Sequence, residues 1–166
     1  SVDGMVTDVP RLPLVVFSAD CNVVLLYDPV RGAIGACHAG WRGTALGIAG
    51  KTVREMVRLF GCRPSDIRAA IGPAIGQCCF ETDGDVPEAL HAALGAEADP
   101  YITWNGRKYH IDLKAINALW LRKAGVAAVD ISGDCTACRT DLYWSHRKHG
   151  GARGSQIAMI SLEDTL

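Results

Sequence analysis

The chain has 166 residues, enough for one domain whose core needs no metal or disulfide staple. Hydrophobic residues make up 49% and charged residues 21%, a globular balance that excludes a disordered chain. The formal charge of −1 excludes an overall field for nucleic acid or anionic membrane, and no apolar run is long enough to cross a bilayer. A small molecule held by a local site is the expected partner. Seven cysteines are an odd count, which a secreted disulfide framework would normally avoid. Reduced thiols in a cytoplasmic protein are the expectation.

In chain order, 13–17 ("PLVVF") reads as a short buried strand and 22–27 ("NVVLLY") as another. Asp28-Pro29 opens a turn that Arg31-Gly32 closes, and 33–38 ("AIGACH") returns as the partner strand. The open end of this hairpin brings Cys21 and His38 to the same sheet edge. A helix follows, capped by Gly43-Thr44 and stopped at Gly61. Leu46, Ala49, Val53, Met56, Val57 and Phe60 form its apolar face. A strand over 67–72 leads into a Gly/Pro-punctuated loop, "GPAIGQCCFE". Helices are expected over 85–94 and after a cap at Asp112, the latter ending at Gly125. Strands over 128–132 and 156–161 flank a long polar segment, "GDCTACRTDLYWSHRKHGGARG". A loop of that length in a compact domain is functional or mobile.

Three constellations carry chemistry. Cys21 and His38 offer sulfur and nitrogen ligands for zinc, or a thiol nucleophile with an imidazole base, or only a buried thiol beside a bonded histidine. Around them, Gly40 and Gly43 permit close approach of a ligand, Arg42 offers a fork for phosphate, and Trp41 offers a flat face for a ring. Cys135-x-x-Cys138 is half of a structural zinc site. Its missing half could come only from Cys78-Cys79, and adjacent cysteines are poor candidates for one tetrahedron, so loop packing is the expectation there. Residues 139–154 set Arg139, Arg147, Lys148 and Arg153 against Asp141 alone, either an oxyanion-binding loop or a solvated basic one.

"ADC", "HAGWRG", "IGPAIG-x-CCFE" and "CTAC-x-x-D-L-Y-W-S-H-R", in that order, resemble the laccase-domain family. Its members were long labelled multicopper polyphenol oxidases and are described as purine nucleoside phosphorylases. The resemblance runs from Asp3 to Ile160. It implies an α/β (α+β) fold, a layered sandwich of mixed sheets flanked by helices. That fold is like the cysteine hydrolase fold of a bacterial toxin glutamine deamidase. The chain is then a single domain over 1–166, the C-terminal two-thirds of the family's fold.

The resemblance also implies a zinc centre of His, Cys and His. Cys21 in "ADC" matches the cysteine and His38 in "HAGWRG" the second histidine. The first lies in a Q-V-H-G segment upstream of "DGMVTD", so an upstream segment or a second chain is expected to supply it. The implied substrates are phosphate and a purine nucleoside (adenosine, inosine, guanosine or methylthioadenosine), with adenosine deamination as a further activity. Arg42 is assigned to catalysis beside Cys21 and His38, and Asp20, Trp41, Arg147 and Arg153 to substrate. The tail departs from the family's S-Y-R-R-D-G-x-T-G-R at Ser145-His146-Arg147-Lys148-His149. Three competing readings are a copper polyphenol oxidase, which five histidines without a His-x-His pair disfavour, a metal-free Cys-His hydrolase, and a binding subunit without activity.

Overall fold

A computed structural model describes residues 3–163. Its centre is a five-stranded sheet in the order β1-β4-β3-β5-β9. The strands are β1 (Gly4–Thr7), β3 (Asn22–Asp28), β4 (Ala33–Ala39), β5 (Arg68–Ile71) and β9 (Ala128–Ile131). All pairs are antiparallel except β5 with β9. β2 (Leu14–Ser18) pairs with β10 (Gln156–Ile160) in a second, two-stranded sheet. A third, small sheet holds β6 (Glu81–Thr82), β8 (Tyr109–Ile111) and β7 (Ile102–Trp104).

Strand alternation explains the layers. From β3 and β4, Val24, Leu26, Ala33 and Cys37 point to one face, where α2 (Ile48–Phe60) and α4 (Leu113–Lys123) bury Val53, Met56 and Leu121 against them. Val23, Ile34 and Ala36 point to the other face and pack on Leu14 and Val16 of β2. β4 is therefore apolar almost throughout, because both of its faces are covered. A third cluster joins α3 (Asp85–Leu94) to α4 through Leu90, Leu94, Ile111 and Ile116. The fold is thus the expected layered sandwich of mixed sheets and helices.

The hairpin forms as its turn chemistry dictates. Asp28 Oδ1 accepts hydrogen bonds from the N–H groups of Val30 (2.8 Å) and Arg31 (3.0 Å), and Gly32 takes a φ of 60°. Gly61 ends α2 in the left-handed conformation, and Asp112 caps α4 by accepting from Ala115 N–H at 2.9 Å. The single helix expected over this region is in fact two. α1 (Trp41–Ala45) ends, Gly47 turns the chain at a φ of 69°, and α2 starts afresh. Trp120 sits against this junction: a Cβ on Gly47 would lie 3.3 Å from its ring. The long polar segment contains only α5 (His146–His149), capped by Ser145. Sequence reading missed β1 and the whole β6–β8–β7 sheet. No helix among the described residues is long and apolar enough to cross a membrane.

Candidate active site and cysteine cluster

The hairpin register places Val23 opposite His38 and Asn22 opposite Ala39, so Cys21 and His38 leave the sheet at one end. Gly40, the first residue past β4, lies between them. A Cβ built on it would sit 3.3 Å from Cys21 Sγ, 3.4 Å from His38 Cε1 and 4.0 Å from His38 Nε2. Both side chains thus reach one point, which glycine leaves open. On the far side of the imidazole, Asp3 Oδ1 is 3.7 Å from Nδ1. A carboxylate on that side favours the tautomer protonated at Nδ1, in which Nε2 carries the lone pair that a metal ion could take.

Cys21 opens onto a hollow of about 270 Å³ lined by Ala19, Asp20, Trp41, Ile75, Phe80 and Arg153, with Leu113, His146 and Arg147. His38 is not among the lining residues. Burial pushes the Cys21 thiol up, the neighbouring Asp20 charge adds to this, and Arg153 pulls the other way. Without a metal this thiol is the opposite of an activated nucleophile.

Asp20 is buried and holds a φ of 83°, rare for a residue with a side chain. Its carboxylate accepts from Thr136 Oγ1 (2.6 Å), Ser145 Oγ (3.0 Å) and Arg147 N–H (2.7 Å). It therefore ties the polar 133–154 segment to the start of β3. The Arg147 guanidinium donates to the carbonyls of Cys79 and Glu81, both at 2.9 Å, and so braces the wall that carries Phe80. Arg153 Nε donates to His146 Nδ1 at 3.2 Å, beside the hollow. Arg42 turns elsewhere: its guanidinium lies 4.2 Å above the Trp41 ring and lines a neighbouring groove with Ala45, Leu46 and Ala89. The other histidines are engaged separately, His91 with Asp99, His110 with the Gln77 carbonyl and His149 with Ser145.

The structure departs most from the sequence reading at the cysteines. Cys78, Cys79, Cys135 and Cys138 converge, their Sγ atoms all within 4.8 Å of one another, close enough to hold a metal ion. Gly76 N–H donates to Cys135 Sγ at 3.1 Å. Burial alone would raise Cys135, but the N–H groups of Gly76 and Cys138 and the thiols of Cys138 and Cys78 outweigh it and bring it to about 7. Cys79 and Cys78 are pushed up, by burial first and then by the Cys138 thiol. All seven cysteines are free thiols.

Residues 1–163 match the family of multi-copper polyphenol oxidoreductase laccases. The chain belongs to this laccase-domain family. Among its relatives, the purine nucleoside phosphorylase YlmD of Geobacillus stearothermophilus is 42% identical over 166 residues, covering 96% of this chain and 59% of that protein. The adenosine deaminase RL5 of an unknown prokaryotic organism is 39% identical over 152 residues, covering 90% and 58%. Among solved structures, the hypothetical protein YfiH of Bacillus licheniformis superposes with a TM-score of 0.95 at 40% identity, covering 98% of this chain and 62% of that one. The chain thus spans less than two thirds of the laccase-domain proteins it matches.

Proposed function

We propose that the chain is the C-terminal two-thirds, a single domain, of a purine nucleoside phosphorylase that also deaminates adenosine, with zinc at Cys21 and His38. The observation that carries this reading is the meeting of Cys21 Sγ and the His38 imidazole over Gly40, with Cys21 itself lining a hollow that has aromatic and cationic walls. The donor set fits zinc, which takes thiolate and imidazole together. Two ligands from this chain leave room for a third from an upstream segment or a second chain. Zinc held there would supply Lewis acidity, lowering the pKa of water toward about 7.

The remaining work falls to side chains. Trp41 and Phe80 give flat apolar faces for a purine. Arg153 brings a cation to the same hollow for phosphate, and Arg42 adds one at the neighbouring groove. In phosphorolysis a phosphate oxygen bonds to the sugar's anomeric carbon while the bond to the purine nitrogen breaks, and the purine leaves with a proton. In deamination water adds to the ring carbon that bears the amino group, and ammonia leaves. Asp20 and Arg147 line the same hollow, and their hydrogen bonds also hold its walls in place. The relatives' names support this pair of activities over oxidation, and the raised Cys21 thiol speaks against a metal-free hydrolase. The odd count of seven cysteines supports a reducing compartment such as the cytoplasm.

The test is an assay of the natural-length protein with adenosine and phosphate, following ribose-1-phosphate, adenine and inosine. Loss of all three products in Cys21→Ala is the expected result. Equal product traces for the wild type and Cys21→Ala would overturn the proposal, as would three or more coppers per chain together with phenol oxidation.

A further inference from the structure

Two loops, one of them on the wall of the hollow, meet sulfur to sulfur. One, 72–81, carries Cys78 and Cys79; the other, 133–145, carries Cys135 and Cys138. Cys79 Sγ is 3.4 Å from Cys138 Sγ, and Cys78 Sγ is 3.7 Å from it. Four thiolates placed about 2.3 Å from one zinc ion stand about 3.8 Å apart. The four sulfurs, with every separation within 4.8 Å, already approximate that tetrahedron. The distances are far from the S–S bond of about 2.05 Å in a disulfide.

Adjacent cysteines in an extended chain point to opposite faces. Here the chain turns: the N–H groups of both Cys79 and Phe80 donate to the Gly76 carbonyl at 3.0 Å. The turn lets Cys78 and Cys79 face Cys138 together. On the opposite loop, the N–H groups of Cys138 (3.1 Å) and Arg139 (2.9 Å) donate to the Cys135 carbonyl, folding C-x-x-C into a compact knuckle. Gly76 is needed for the two loops to close. A Cβ there would lie 3.2 Å from Cys135 Cβ and 3.3 Å from Cys78 Sγ. Its N–H instead donates to Cys135 Sγ, the kind of outer bond that fixes a thiolate ligand. Cys135 is buried while Cys78 and Cys138 are exposed, so the cluster has an inner anchor and a path for an ion to enter.

We propose that Cys78, Cys79, Cys135 and Cys138 hold one zinc ion as a closed tetrathiolate, a structural site distinct from the Cys21–His38 pair. Four protein ligands leave no open position, so the ion braces rather than catalyses. The brace joins the loop bearing Ile75 and Phe80 to the segment that continues into Arg147 and Arg153, residues lining the same hollow. The Arg147 guanidinium, bonded to the Cys79 carbonyl, sets a positive charge beside a site that would carry net negative charge.

The experiment uses the natural-length protein carrying Cys21→Ala, which disables the other metal pair. Metal analysis and X-ray absorption of this variant should give one zinc surrounded by four sulfurs at about 2.3 Å. Cobalt exchanged for it should show the intense sulfur-to-metal charge-transfer bands of a tetrahedral thiolate site. Stripping the ion with a strong chelator should lower Tm in both the wild type and Cys21→Ala, and added zinc should restore it. A purified Cys21→Ala protein without metal that takes up neither zinc nor cobalt overturns the proposal. So does a mass lower by two hydrogens with a Cys138 disulfide, or a coordination shell poorer than four sulfurs. Because the intact four-cysteine cluster is read by spectroscopy, the result does not depend on any nucleoside activity.

Discussion

Asp20 Oδ1 accepts a 2.6 Å hydrogen bond from Thr136 Oγ1, joining two positions 116 residues apart. The other carboxylate oxygen accepts from Ser145 and from the Arg147 amide. One buried side chain thus holds the polar 133–154 segment at two places, Thr136 and Ser145–Arg147, against the hairpin that carries Cys21. Asp20→Ala should destabilise the protein by about 3 kcal/mol, since several charge-assisted bonds vanish and their donors stay buried. Asp20→Gly removes the same bonds but relieves the positive φ, so it should cost about 1 kcal/mol less. Urea unfolding of the three proteins reads the difference. Limited proteolysis should cut 133–154 faster in both variants, and an unchanged cutting rate would detach Asp20 from this role.

Much of this arrangement was legible in the sequence, and the boundary between legible and hidden is physical. Turn residues at 28–32 specify a hairpin, and a hairpin alone brings positions 21 and 38 to one edge. The three-four periodicity of α2 and the Asp112 cap are equally local. The strands β6 and β7 have two and three residues, too few to show alternation. The break at Gly47 rests on a left-handed glycine, and the Trp120 ring packed against it comes from α4, beyond any local window. The convergence of the four cysteines was hidden because adjacency in sequence does not say where two sulfurs point; the turn begun at Gly76 decides that. Asp20 stood out only as part of "ADC"; its partners lie more than a hundred positions away.

Gly40 should matter for metal affinity more than for folding. Its φ of −62° suits any residue, so Gly40→Ala strains no backbone. The new methyl would enter the space shared by Cys21 Sγ and the His38 ring. Zinc affinity measured by competition on the natural-length protein should fall about 10–100-fold, the size of effect seen when the surroundings of a metal ligand are disturbed. The melting temperature of metal-free protein should move little. A large Tm loss with unaltered zinc affinity would assign Gly40 to packing instead.

Acid sensitivity should trace partly to Asp28. Burial would raise this carboxyl, but the Cys62 thiol, the Arg31 and Val30 amides and the Arg31 charge together hold it below its ordinary value of 3.8. A folded-state value lower than the unfolded one stabilises the fold fully above the unfolded value. That contribution fades as pH falls through the folded value. The stability gap between wild type and Asp28→Asn should therefore be widest near neutral pH and shrink from about pH 5 downward. Denaturant unfolding of both proteins across that range gives the gap directly, and a gap constant with pH would remove Asp28 from the acid response.

Arg147→Lys should loosen one wall of the hollow while leaving the core alone. The guanidinium reaches two carbonyls at once, Cys79 and Glu81, with a planar fork that an ammonium lacks. Its ring contact with Phe80, 5.7 Å from the centroid, would weaken as well. The bond from the Arg147 amide to Asp20 belongs to the backbone and survives the change. Amide hydrogen exchange over 76–82 should accelerate about tenfold, the consequence of losing one charge-assisted bond. Exchange in α2 and β4, which lie in the main core, should stay at wild-type rates. Acceleration in α2 and β4 equal to that over 76–82 would mean that Arg147 supports the whole domain, and the bracing assigned to its fork would be wrong.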